Sequence, residues 1–79
     1  MCYTYIIFSA SKDKYYVGSS RHDLVDRIRR HNSKHKGFTG GEADWVIVYS
    51  KQFETYQEAC AMEMKIKSWK SRQMIEKLI

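Results

Sequence analysis

The chain has 79 residues, 43% hydrophobic and 29% charged, with a net charge of +5 and an isoelectric point near 9.3. Those figures describe one ordinary globular domain over residues 1–79 and exclude a disordered chain; two cysteines, Cys2 and Cys60, far apart in sequence, make neither a disulfide framework nor a zinc site. No apolar run approaches the roughly 20 residues of a bilayer span and the N-terminus lacks the basic-then-apolar layout of an export signal, so the expected location is cytoplasmic, with no membrane partner.

Residues 3–8 and 14–19 are rich in β-branched and aromatic side chains and flank a polar segment with Ser, Asp and Lys, the pattern of a β-hairpin with a longer turn. The first run is apolar at nearly every position and predicts a central strand covered on both faces. The second is more polar, reads as an edge, and ends at Gly18, where a missing side chain lets another group come close to the backbone. Tyr3, Tyr5, Tyr15 and Tyr16 crowd this hairpin. Tyr3, Tyr15 and Tyr49 read as core aromatics, since neighbouring strand residues alternate faces.

Asp23 is placed to cap a helix over 24–33 whose apolar stripe is Leu24 and Ile28. Arg27 and His31, one turn apart, lie at the border of that stripe and face the seam between helix and sheet, while Asp26 and Arg30 point to water. Residues 33–44, with Gly37, Gly40, Gly41 and Phe38, read as a basic loop, either a clamp for a strand of nucleic acid or only a connector. A third strand follows over 45–53, its W-V-I-V-Y run expected to be buried. A helix over 56–69, a break at 68–71 and a short helix over 72–78 complete the chain. The fold class is α/β in the α+β sense: a small three-stranded, mainly antiparallel sheet with the first strand central, flanked by three helices.

Glu63 is the residue that pattern alone does not explain. On the helix 56–69 it falls within the apolar face set by Tyr56, Ala59, Cys60 and Ile66. An unpaired carboxylate out of water costs several kcal/mol, so a partner is required. Lys67, one turn on, is one candidate; a divalent cation is the other, and in that case neutralising Glu63 is expected to leave stability unchanged or raised. Charge is also patterned. Residues 27–41 contain Arg27, Arg29, Arg30, Lys34 and Lys36 without an acid, and residues 64–75 contain Lys65, Lys67, Lys70 and Arg72 without one. Two basic clusters on a small domain fit either a phosphate backbone or solvated helix faces.

The sequence resembles the GIY-YIG endonucleases. T-Y-I at residues 4–6 is similar to one half of that signature and Y-V-G at 16–18 to the other, with Thr4 standing where the signature has its first glycine. The R-x-x-x-H of Arg27 and His31 and the E-A-x-x-x-E-x-x-I-K of residues 58–67 follow in order, so the match spans nearly the whole chain, as in small stand-alone members. The chain stops at Ile79, before the polar C-terminal residue of longer relatives.

The resemblance implies hydrolysis of DNA phosphodiester bonds with Mg²⁺ or Mn²⁺ anchored on Glu63. It assigns catalytic roles to Tyr5, Tyr16, Arg27, His31 and Glu63: Arg27 holds the scissile phosphate, Tyr16 acts as general base, Tyr5 orients the water or the phosphate, and His31 bonds a tyrosine or relays its proton. Gly18, Arg29, Arg30, Lys34, Lys36 and Lys67 are the expected contacts to nucleic acid. With no added domain to read base edges, selectivity for branches, flaps or damage is expected, or direction by a partner protein, and a homodimer would supplement so small a core. The alternatives are a DNA-binding module of the same fold with little activity, and a protein-interaction domain.

Overall fold

The computed structural model describes residues 1–32 and 44–79, without the side chain of His31. Its elements follow in the order β1 (Cys2–Ser9), β2 (Lys14–Ser20), α1 (Leu24–Asn32), β3 (Trp45–Phe53), α2 (Tyr56–Ser68) and α3 (Arg72–Leu78). The strands form one sheet in the order β2-β1-β3, with both pairings antiparallel. The first strand is therefore central, and β2 and β3 are the edges, as the uninterrupted apolar run of β1 predicts.

The pleat divides the core in two. On one face Tyr5, Ile7 and Trp45 are buried and receive Tyr16 with Leu24 and Ile28 of α1. On the other, Ile6, Val17 and Ile66 are buried beneath α2 and α3, with Tyr15, Val48, Tyr49, Met62 and Trp69 packed around them. The helices start and stop where the sequence provides for it. The Asp23 carboxylate accepts from the Val25 N–H at 2.9 Å, Thr55 and Ser71 cap α2 and α3, and Lys70 turns the chain between those two helices at a φ of 48°.

One expectation for β3 is corrected. Of the W-V-I-V-Y run only Trp45 is buried, while Val46 and Ile47 are 53% and 39% exposed. A bulge explains this: Ile6 lies opposite Tyr49 but Ile7 lies opposite Ile47, so β3 holds one extra residue there. The bulge turns both Val48 and Tyr49 toward the α2 face, and the two residues before it, on the edge strand, are the exposed ones.

Side chains tie the layers together at points far apart in sequence. The Thr4 hydroxyl donates to the Ala59 carbonyl at 2.6 Å, joining the middle of the sheet to α2. Thr4 is wholly buried and faces α2, so its departure from glycine leaves the Tyr5 face untouched. Asn32 grips the first residue of β3 twice, accepting from the Trp45 N–H at 2.8 Å and donating to its carbonyl at 3.1 Å. Asp44 fastens the hairpin tip, accepting from the Ser9 hydroxyl at 2.6 Å and from the Ser11 N–H at 2.7 Å.

These bonds generate two predictions. Thr4→Val keeps the shape and removes the donor, so thermal unfolding should show a loss of about 1 kcal/mol, or roughly 4–8 °C in a domain of this size. The Ser9 hydroxyl, then the Ser11 N–H, hold the Asp44 carboxyl below its ordinary value. A depressed folded pKa contributes stability that is full above the unfolded value and disappears as pH falls through the folded one. Asp44→Asn should therefore melt below the parent at pH 7, and the two curves should converge as pH is lowered from about 4 toward 2.

Candidate functional site

The site is built around a gap in β2. Register places Gly18 directly opposite Tyr5, and Tyr16 opposite Ile7, so Tyr5 and Tyr16 are diagonal neighbours on the α1 face. The Tyr5 ring lies across the glycine: a Cβ built on Gly18 would fall 2.5 Å from the Tyr5 Oη and 2.7 Å from its Cζ. Only glycine fits there. α1 packs over the same face through Leu24 and Ile28, which brings Arg27 to the seam, and the Arg27 Nε–H donates to the Tyr5 Oη at 3.2 Å. The Tyr16 ring meets Trp45 edge-on at 6.4 Å between centroids.

Ser19, one residue past the gap, points the other way, toward α2. Its hydroxyl donates to Glu63 Oε1 at 2.5 Å and lies 3.4 Å from the Cys60 Sγ. The second carboxylate oxygen accepts from Lys67 Nζ at 2.6 Å. Glu63 is thus neither unpaired nor deeply buried, its side chain being 20% exposed. Of the two partners the sequence offers, Lys67 is present as an ion pair, and Ser19 is a further partner that the helical pattern does not reveal. With Lys67 itself half exposed, the pair is worth at most about 1 kcal/mol.

The two halves interact electrostatically past Gly18. Burial pushes the Tyr5 phenol above its usual value; the Arg27 guanidinium opposes this, and Tyr16 and Glu63 add to it. Lys67 Nζ lies 6.0 Å from the centre of the Tyr16 ring, and the ion pair with Glu63 holds the Lys67 pKa above the ordinary ammonium value. Phenols from β1 and β2, a guanidinium from α1 and a carboxylate from α2 therefore meet at one strand edge.

A polar cleft of about 390 Å³ opens beside Arg27, lined by Ser19, Ser20, Arg21, His22 and Tyr56. The Arg21 guanidinium stacks over the Tyr56 ring at 4.3 Å. A smaller recess of about 170 Å³ joins His22, Asp26, Arg27 and Arg30. Sequence reasoning does not single out Ser19, Arg21, His22 or Tyr56 for the site. Strand alternation past Gly18 could have pointed to Ser19, whereas Tyr56 reads from its spacing as one more apolar position of α2.

Of the other expected site residues, Arg30 lines the small recess, and Arg29 lies on the exposed side of α1, 3.7 Å from Asp26. The His31 side chain, Lys34 and Lys36, and the loop with Phe38 and its glycines, lie outside the described residues.

Among the described residues no group of three or more His, Cys, Asp or Glu side chains is assembled. A divalent ion at Glu63 would rest on a single carboxylate. That suits a hard cation such as Mg²⁺, which takes one or two carboxylates and keeps several waters. The donors on hand, a carboxylate with a serine hydroxyl bonded to it, are hard oxygens, and a lysine ammonium already lies on Oε2, so the position accepts positive charge.

The chain matches the family model described as the GIY-YIG catalytic domain over residues 1–77. No curated protein and no solved structure matches it.

The geometry of the gap predicts that Gly18→Ala forces the Tyr5 ring off its seat. The expected cost is about 1–3 kcal/mol, or roughly 5–20 °C in melting temperature. Adding Tyr5→Phe should not restore stability, because Cζ, at 2.7 Å, still meets the new methyl. Recovery in the double variant would show that the hydroxyl alone obstructs.

Proposed function

This chain belongs to the GIY-YIG catalytic-domain family, whose members are endonucleases acting on DNA, and from that premise we propose that it is a divalent-metal-dependent enzyme selective for DNA structure rather than sequence. The observation that carries the reading is the meeting of Tyr5, Tyr16, Arg27 and Glu63 at the Gly18 gap, where side chains from four elements converge on one edge of the sheet.

In this reading the scissile phosphate enters the cleft beside Arg27. The Nε–H of Arg27 is committed to Tyr5, and the rest of the guanidinium fork meets the non-bridging oxygens as charge builds on them. Tyr5, raised in pKa by burial, stays protonated at neutral pH and serves to hold the guanidinium and orient the phosphate or water. Tyr16 is then the general base: it passes its own proton to His31 as it takes the water's, within reach of the positive charge of Lys67. His31, on α1 one turn beyond Arg27, is assigned the relay of that proton.

Glu63 would hold the Mg²⁺ or Mn²⁺ ion with Ser19 fixing the orientation of its carboxylate, and Lys67 would give up Oε2 to the ion. When bound, such an ion neutralises phosphate charge and stabilises the leaving oxygen. Arg21, Arg30 and Lys67 surround the cluster with positive charge, and Arg29, Lys34 and Lys36 extend the phosphate contacts in this reading. No described element is set out to read base edges, which supports selectivity for branches, flaps or damage, or delivery by a partner protein.

The test is cleavage of branched, flapped and linear duplexes with Mg²⁺ or Mn²⁺ by purified variants of unchanged fold. Arg27→Ala should lower the rate by roughly 10²–10³, and Tyr16→Phe, which keeps ring volume, should lower it comparably while Tyr5→Phe retains more activity. Glu63→Gln should abolish cleavage yet leave DNA binding intact, with melting lowered by no more than a few degrees. Normal cutting by both Tyr16→Phe and Glu63→Gln would overturn these catalytic assignments, and DNA binding without cleavage by the unaltered protein would leave the fold as a DNA-binding module.

A further inference from the structure

Next to the catalytic cluster, a second and more apolar recess of about 500 Å³ follows the outer edge of β2. One wall is β2 itself; the other is the end of α2, the turn at Lys70 and the start of α3. The floor is aliphatic, made by Val17, Ile66 and Ile75. The rim carries Lys14, Lys67, Lys70 and Arg72, with Arg72 paired to Asp13 and Glu76 and Lys67 to Glu63. Arg72 closes the far end, bonded to Asp13 at 2.7 Å and to Glu76 at 3.3 Å. The near end is lined by Tyr16 and Lys67, which also belong to the cluster around Gly18.

Three properties coincide here: lysine and arginine side chains at the mouth, an apolar floor, and the backbone of an edge strand. A nucleotide whose base has left the stack has the complement of all three: a phosphate, a flat apolar face and a hydrogen-bonding edge. A base paired within a duplex offers neither its face nor its pairing edge, so a recess of this kind has no use for an intact helix. We propose that this groove seats one unpaired nucleotide adjoining the phosphate held beside Arg27, so that the preferred substrate carries a flap, a bulged base or a single-stranded tail at the cut. The proposal rests on the nuclease reading for the position of that phosphate.

The test is binding with the divalent metal chelated, so that no cutting is needed. A duplex carrying one unpaired 2-aminopurine is compared with the same duplex fully paired, and 2-aminopurine fluorescence together with backbone amide shifts is followed. The unpaired duplex should bind about fivefold or more tightly, with fluorescence changed and shifts concentrated in residues 13–17 and 66–75. Ile75→Ala, which shrinks the floor, should bring the ratio toward one. So should Lys70→Glu, which exchanges one long exposed side chain for another at the turn and is checked for an unchanged melt; charge lost at random would weaken both duplexes equally and leave the ratio alone.

Equal binding of the two duplexes by a protein that still cuts DNA overturns the groove assignment and leaves the nuclease reading standing. A preference that survives in both folded variants places the unpaired base elsewhere and likewise overturns it. Groove shifts caused by an extended acidic peptide but not by the unpaired nucleotide give the edge to a protein partner and overturn it too. Absence of both binding and cleavage with every DNA removes the nuclease reading and this inference with it.

Discussion

The structure turns on the contact between the Tyr5 ring and the bare backbone of Gly18. Because the glycine has no side chain, Tyr5 lies flat across β2 and its hydroxyl reaches the strand edge, where Arg27 bonds it. The same absence leaves no wall between the two faces of the sheet at that point. A carboxylate carried by α2 on one face and a guanidinium carried by α1 on the other then act on a common space, although the sheet separates their helices everywhere else. The hairpin register is the controlling quantity, since a slip of one residue would send the phenols to the wrong side.

So small a domain cannot rely on a large core, and its architecture reflects that. Each face of the sheet has its own modest apolar cluster, and single polar contacts connect what the clusters do not. Thr4 fastens α2 to the central strand, Asn32 fastens α1 to β3, Asp44 fastens β3 to the hairpin tip, and Arg72 fastens α3 to the same tip. Three of the four use neutral donors or a carboxylate shared between a hydroxyl and an amide, and only Arg72 is a charge–charge contact at the surface. The architecture therefore depends little on ionic strength, which suits a protein whose proposed partner is itself highly charged.

The hairpin, the central place of β1, the edge place of β2 and the break before α3 are all legible in the sequence, because each follows from local pattern: an uninterrupted apolar run, alternation, a polar turn. Arg27 at the seam is legible for the same reason, from its spacing relative to Leu24 and Ile28. What escapes the sequence depends on register between distant segments. Ser19 reaches Glu63 across 44 positions and Thr4 reaches Ala59 across 55, and no window of local pattern spans such distances. The burial of β3 is illegible for a related reason: apolar content announces a covered strand, but the bulge opposite Ile6 and Ile7 and the outer place of β3 decide which of its residues find cover.

The double grip of Asn32 on Trp45 has a consequence for the evolvability of the fold. It copies a rung of a β-ladder with a side chain, and it joins the two chain ends between which residues 33–43 run. With those ends fixed by their own contact, the length of the connection is nearly free of thermodynamic consequence, each doubling costing only about 0.6 kcal/mol of closure entropy. A longer segment, even a whole recognition module, can be spliced in at this point while the edge at Gly18 keeps its geometry. The clamp makes the domain a chassis, with one socket already wired beside its site.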